Sequence, residues 1–253
     1  MAGHSKWANI KHQKARMDAK KGKTFTQLSR AIIVAARNGG PDPETNFQLR
    51  TAIDKAKSCS LPNENIERAI AKGAGTYGSD EEQLESIRYE GYGPGGIAIL
   101  IEALTDNRNR TAADLRSAFS KNGGNLGETG CVSWMFEQKG VVRLEGNLNE
   151  DQLLETCVEG GADTYEFNDN SGVEVFTEPT NLEHLNQTLQ DKGFPVQEAE
   201  LRWLANNYIQ VDDPDQARSL IKLMEMLEGL DDVQNVTANF EMANELVLEN
   251  SKS

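Results

Sequence analysis

The sequence predicts a multi-domain α+β protein. An N-terminal all-helical domain is followed by two α/β domains, one of them ferredoxin-like (β-α-β-β-α-β) and inserted in the other. Three observations predict this. Residues 1–75 read as all helix, with apolar positions at helical spacing. The polar stretch 74–86 then reads as a linker, after which the pattern changes to short apolar runs bounded by Gly and Pro. From residue 141 the order strand, helix, strand, strand, helix, strand appears, and elements left over after residue 205 complete those seen before 140.

Taken in order, Lys11–Lys21 has no Gly or Pro and is dominated by good helix formers. Phe25, Leu28, Ile32, Ala35 and Ala36 form the apolar stripe of a second helix, which Asn38-Gly39-Gly40 stops. A third helix turns Leu49, Ile53 and Ala56 inward. A fourth opens near Pro62, has Glu64 and Glu67 in its early turns and Lys72 in its last, and ends at Gly73. Strands follow at Ile87–Gly91 and Ile97–Leu104 around the turn Gly91-Tyr92-Gly93-Pro94-Gly95-Gly96, and then an amphipathic helix over Thr111–Lys121 with Asn109 as its N-cap. The inserted unit reads as strand 141–144, helix 150–158, strands 163–167 and 173–177, helix 182–192 and strand 196–201. A strand at 208–211, a helix at 214–228 and a strand at 233–239 return to the first sheet. The expected domains are 1–78, then 79–140 with 205–245, with 141–204 inserted, and a frayed tail at 246–253.

Composition narrows the function. The first 37 residues carry nine Lys/Arg against one acid, Asp18, or +8. The remaining residues carry 17 basic and 39 acidic side chains, −22, for a total of −14. A concentrated basic arm attracts polyanions, while an acidic body repels them. The longest apolar runs, Ala31–Ala36 and Ile97–Ile101, are too short to span a bilayer, so no membrane partner is expected. Cys59, Cys131 and Cys157 are odd in number and widely spaced, which fits reduced thiols and neither a disulfide framework nor a zinc site. No secretory signal is visible. A mitochondrial transit peptide fits the charge, but the segment is richer in Lys than in Arg and runs directly into a helical pattern.

Candidate contacts follow from side-chain chemistry. Lys6, Lys11, Lys14, Arg16, Lys20, Lys21, Lys23, Arg30 and Arg37 can each neutralise a phosphate, and Trp7 and His12 offer flat faces to unpaired bases. Trp7 instead reads first as a staple packing on the helical core. Secondary candidates are Tyr92, expected at an exposed loop tip, and Arg108 and Arg110, which either hold phosphate as planar forks or brace Glu90, Glu102 or Asp106 between domains. Gly91-x-Gly93-x-x-Gly96 fits the dinucleotide fingerprint only formally, since Pro94 lies within it and a strand follows. Asp212-Asp213-Pro214-Asp215 and Asp231-Asp232 read as solvated helix-start and turn acids, lacking the alternating spacing of a calcium loop. With three histidines and no nucleophile context or Walker loop, no enzyme activity, cofactor, metal or small-molecule substrate is expected.

The opening Met1-Ala2-Gly3-His4-Ser5-Lys6-Trp7-Ala8-Asn9-Ile10-Lys11-His12 resembles the signature of the YebC/PmpR family. So do Gly91–Gly96, Thr105-Asp106-Asn107-Arg108-Asn109-Arg110-Thr111 and Lys121-Asn122-Gly123-Gly124-Asn125-Leu126-Gly127. The resemblance runs from residue 1 to about 245. It implies three domains, one inserted in another, and a cytoplasmic DNA-binding transcriptional regulator. Relatives of the family act in translation, on ribosomes stalled at proline-rich stretches. Because the resemblance begins at Met1, no targeting peptide is expected. The expectation is therefore a monomeric, cytoplasmic protein whose arm grips the nucleic-acid backbone of DNA, or alternatively of ribosomal or transfer RNA on the ribosome.

Overall fold

The computed structural model describes residues 21–76, 84–146, 148–167 and 172–242, with side chains from Phe25 onward. The expected helix over Lys11–Lys21 lies outside these residues except for its last position, and so do most of the 74–86 linker and the 246–253 tail.

Helix α1 (Lys21–Gly39) buries Leu28, Ile32, Ala35 and Ala36 on one stripe, with Phe25 packed beside them. Gly40, at φ 89°, takes the left-handed conformation that ends it without steric penalty. Asn46 then caps α2 (Phe47–Ser58): its Oδ1 accepts from Leu49 N at 3.0 Å, and its Nδ2 donates to Ala35 O and Gly40 O, both at 2.8 Å. One buried side chain thus caps one helix and ties it to another. Helix α3 (Asn63–Gly73) presses its end onto α1, where a Cβ on Gly73 would lie 2.5 Å from Ile33 O. The helical core of Ile32, Leu49, Ala56 and Ile66 continues without interruption into Leu84 and Leu104 of the next unit.

The first sheet runs in the order β3-β1-β2-β9, from β1 (Glu85–Tyr92), β2 (Ala98–Thr105), β3 (Asn125–Leu126) and β9 (Val233–Ala238). Its β1–β2 connection is short because Gly95 and Gly96 both take positive φ, 76° and 77°. Helices α4 (Arg108–Lys121) and α7 (Pro214–Glu228) cover one face, with Leu115, Phe119, Leu220 and Met224 packed on Ile99 and Ile101. Val132, Phe136 and Ala205 cover the other, against Ala98 and Leu100. Burial on both faces explains why Ile97–Ile101 is continuously apolar and does not alternate.

Between β3 and β9 the chain builds a second antiparallel sheet, β5-β6-β4-β7, from β4 (Phe136–Glu145), β5 (Thr164–Phe167), β6 (Gly172–Thr177) and β7 (Val196–Ala205). Helices α5 (Glu150–Glu159) and α6 (Leu182–Asp191) pack on it through Leu153, Cys157, Leu185 and Leu189. One pairing differs from expectation. Strand β8 (Ile209–Val211) does not join the first sheet but pairs in parallel with β10 (Phe240–Met242), a strand the sequence did not announce. Val211, Phe240 and Met242 still enter the core of the first sheet, so burial is satisfied without membership of its ladder.

Candidate nucleic-acid interface

Of the arm candidates, Lys6, Trp7, Lys11, His12, Lys14, Arg16 and Lys20 lie outside the described residues. Lys21 and Lys23 stand in the first turn of α1. Arg30 and Arg37, two of the three arginines of the set, are placed in full, and both point into the protein. Arg30 donates through Nη1 to Leu104 O at 3.2 Å, Asp231 O at 2.7 Å and Asp232 Oδ1 at 2.6 Å. Arg37 donates to Leu84 O at 2.6 Å. Gln27, one turn before Arg30, donates to Val233 O at 2.9 Å. These residues recur on one helical face, and that face is the one laid against β2, β9 and the start of β1. The guanidinium groups therefore donate to backbone carbonyls where the helical unit meets the first sheet.

Asp232 is the acceptor that organises this junction. It is only 6% exposed, in place of the solvated turn acid that its sequence position suggests. Besides Arg30 it receives Arg110 Nη2 at 3.0 Å, Thr111 Oγ1 at 2.7 Å and Thr105 Oγ1 at 3.1 Å. Burial opposes its ionisation, but the bonds from Thr111, Arg110 and Arg30 outweigh burial and hold the carboxyl down at about 2. Arg30 and Arg110, distant in sequence, are thus brought to one carboxylate.

The secondary candidates are also engaged. Arg110 bonds Asp106 at 2.6 Å as well as Asp232, and Arg108 pairs with Glu85 at 3.1 Å, so both brace acids, though among the expected ones only Asp106. The N-cap of α4 is Asn107, which accepts from Arg110 N, in place of Asn109. Tyr92 is not at an exposed tip: it is half-buried against the Leu100–Val132 cluster and donates its hydroxyl to Cys131 O at 2.9 Å. Glu90 pairs with neither arginine. Its carboxylate accepts the backbone N–H groups of Gly130, Val132 and Ser133 at 2.7, 2.7 and 2.8 Å. Burial opposes that charge, and the three N–H donors hold it below the usual carboxylate range.

On its other side the helical unit meets β7 and α6 through ion pairs. Lys55 reaches Glu198 at 2.6 Å and Glu200 at 3.2 Å, Arg50 reaches Glu183 at 3.0 Å, and Arg202 joins Glu174 to Glu200, each at 2.9 Å. Burial disfavours ionised Glu200, yet Lys55 and Arg202 beside it hold the carboxyl well below its ordinary range. Glu200 is in turn the main reason that Lys55 is held above its own. A cleft of about 1460 Å³ opens here, its lining including Glu102, Glu145, Glu183, Glu198 and Glu200, with its cations Arg50, Lys55, Arg143 and Arg202 each paired to an acid. Such a surface offers nothing to a phosphate backbone. Among the described residues, no cluster of His, Cys, Asp and Glu could hold a metal, and no helix is long and apolar enough to cross a membrane.

Comparison with known proteins agrees across the whole chain. Residues 5–76 match the TACO1/YebC protein N-terminal domain, and residues 84–240 match the TACO1/YebC second and third domain. A probable transcriptional regulatory protein of Gloeothece citriformis is 78% identical over 250 residues, covering 98% of each chain. One from a Nostoc species is 73% identical over 247 residues, again covering 98% of each. A conserved hypothetical protein from Aquifex aeolicus, known from its crystal structure, superposes with a TM-score of 0.85 at 47% identity, covering 95% of this chain and 98% of that one. By sequence along its length and by fold, this chain belongs to the TACO1/YebC family.

Proposed function

We propose that the protein is a nucleic-acid-binding regulator, a DNA-binding transcriptional regulator of the YebC/PmpR type, that grips phosphate backbone with its basic N-terminal domain. One observation carries the reading: a +8 segment joined to a −22 body. The described cations of that body are largely neutralised by its own acids, as at Arg110–Asp232, Lys55–Glu198, Lys139–Asp163 and Arg202–Glu174. Backbone contact then falls to Lys6, Lys11, Lys14, Arg16, Lys20, Lys21 and Lys23, with Trp7 and His12 available for stacking. Arg30 and Arg37 anchor the domain that carries them. The names of the relatives in Gloeothece and Nostoc support the transcriptional assignment.

The same reading divides the chain at 1–78, 79–140 with 205–245, and 141–204, the last a ferredoxin-like insertion. It treats the protein as a cytoplasmic monomer that binds and does not catalyse. The acidic body favours one second reading, a ribosome-associated translation factor, because a −22 surface opposes wrapping by bare duplex.

The test replaces Lys11, Lys14, Lys20 and Lys21 by Glu. Binding to promoter duplex is expected to be abolished with the melting temperature unchanged. Equal affinity of the unaltered protein for promoter and random duplex contradicts the regulator. Co-sedimentation with ribosomes that vanishes in the fourfold variant favours translation.

A further inference from the structure

Trp134 stands 69% exposed on a single 3₁₀ turn, Ser133–Met135, ahead of β4. Its neighbours in the chain are anchored. Val132 is fully buried, and Met135 packs against the same cluster. Glu90 ties down the N–H groups of Gly130, Val132 and Ser133, and Asn206 N donates to Met135 O at 2.8 Å. A buried carboxylate is an expensive way to shape a loop, and here its acceptor capacity goes to the turn that carries an exposed indole.

The ring itself is oriented from within. Trp134 Nε1 donates to Cys131 O at 3.2 Å, the same carbonyl that receives Tyr92 Oη at 2.9 Å. The one polar atom of the indole is thereby satisfied inside the loop, so what faces outward is a flat π surface with no donor for a partner.

The surroundings distinguish between partners. Protein hot spots sit at the centre of apolar patches. Around Trp134 the exposed residues nearby in the chain are Glu128, Thr129, Gly130 and Glu137, and exposed Asn206 is bonded to its carbonyl. The other large apolar side chains exposed among the described residues lie on other elements, Leu154 and Val158 on α5, Phe167 on β5, Ile209 on β8 and Met226 on α7. A pre-oriented, exposed aromatic flanked along the chain by polar residues has the form of a stacking platform, which accepts any base because every base has a π face. Glu128 and Glu137 repel phosphate, so the ring would take a base swung away from its backbone.

We infer that Trp134 stacks an unpaired nucleobase, a contact separate from the basic arm and blind to duplex. The inference rests on the nucleic-acid reading given above, and the experiment separates the two.

Affinities of the full chain are measured by anisotropy for one 12-nucleotide sequence as single-stranded RNA, single-stranded DNA and duplex, with Trp134→Ala and Trp134→Phe alongside. Trp134→Ala is expected to weaken both single strands about tenfold, leave the duplex unchanged and keep the salt slope, while Trp134→Phe keeps most of the affinity. A loss confined to RNA or to DNA identifies which strand supplies the base. Unchanged single-strand affinity in Trp134→Ala, with a normal salt slope, overturns the inference and leaves the proposed function standing. An equal loss on single strand and duplex also overturns it, as does loss of a co-purifying protein with oligonucleotide affinity intact, which assigns the ring to a protein surface. If the unaltered chain binds none of the three, the proposed function fails and this contact fails with it.

Discussion

The helical unit meets the rest of the protein on two sides, and the two junctions are built differently. Against the first sheet, its core runs on into Leu84 and Leu104, and Arg30 and Arg37 donate to backbone carbonyls around the buried carboxylate of Asp232. Against β7 and α6, the contact includes Phe47 at the edge of a neighbouring core and the ion pairs of Lys55 to β7 and of Arg50 to Glu183 on α6, whose cationic side chains remain 50% and 39% exposed. A buried carboxylate held beside a hydrophobic core by four side-chain donors resists salt and competitors, whereas ion pairs between partly exposed side chains are screened by both. The first junction is structural. The second holds one orientation of the inserted unit with small forces.

Substitutions should separate the two, beginning with the largest effect. Asp232→Ala strands Arg30 and Arg110 without their shared acceptor and should cost about 3–5 kcal/mol in denaturant unfolding. Leu104→Ala, at a position 3% exposed in the shared core, should cost about 2–4 kcal/mol. Acid should act on the first junction as well. A carboxyl whose folded value is depressed stabilises the fold above its unfolded value and loses that contribution as pH falls toward the folded one. The Asp232 contribution should therefore be complete above about pH 4 and fade toward about pH 2, a loss that Asp232→Asn, compared by thermal melts, should flatten. Lys55→Ala should cost about 1 kcal/mol or less, and that difference should shrink further in 0.5 M salt. A Lys55→Ala penalty as large as that of Asp232→Ala would erase the distinction. Arg108→Ala, which breaks an exposed pair with Glu85, should change stability by about 0.5 kcal/mol at most.

What could be read from the sequence follows from the range of the interactions involved. The stripes Leu28–Ala36 and Leu49–Ala56, the run Ile97–Ile101 and the caps near Pro62 and Gly73 are local signals of periodicity and backbone geometry, and they place their elements within a few residues. Strands β3 and β10, of two and three residues, are too short to show any period. The pairing of β8 with β10 depends on residues about 30 apart with no hairpin signal between them. The candidate site is legible in the sequence only through its charge. That Arg30 turns inward depends on Asp232, 202 positions away, and nothing within a window around either residue announces the other. Tyr92, expected at an exposed tip under a glycine turn, is covered instead, because Glu90 folds the 130–133 loop over it, and no local pattern marks Trp134 in the same loop as exposed.

This assignment removes Arg30 and Arg37 from the phosphate-contact set and leaves the lysines and Arg16 of the arm. The most direct measurement is the dependence of log K on log salt for nucleic-acid binding, compared among the unaltered chain, Arg37→Ala and the fourfold Lys11, Lys14, Lys20 and Lys21 to Glu variant. The unaltered chain should give a slope of about −3 to −6. Arg37→Ala should keep that slope while melting at a lower temperature, and the fourfold variant should lose binding at an unchanged melting temperature. A slope near zero for the unaltered chain, or one that falls by about 1 in Arg37→Ala with stability untouched, would contradict the division between a gripping arm and a structural junction.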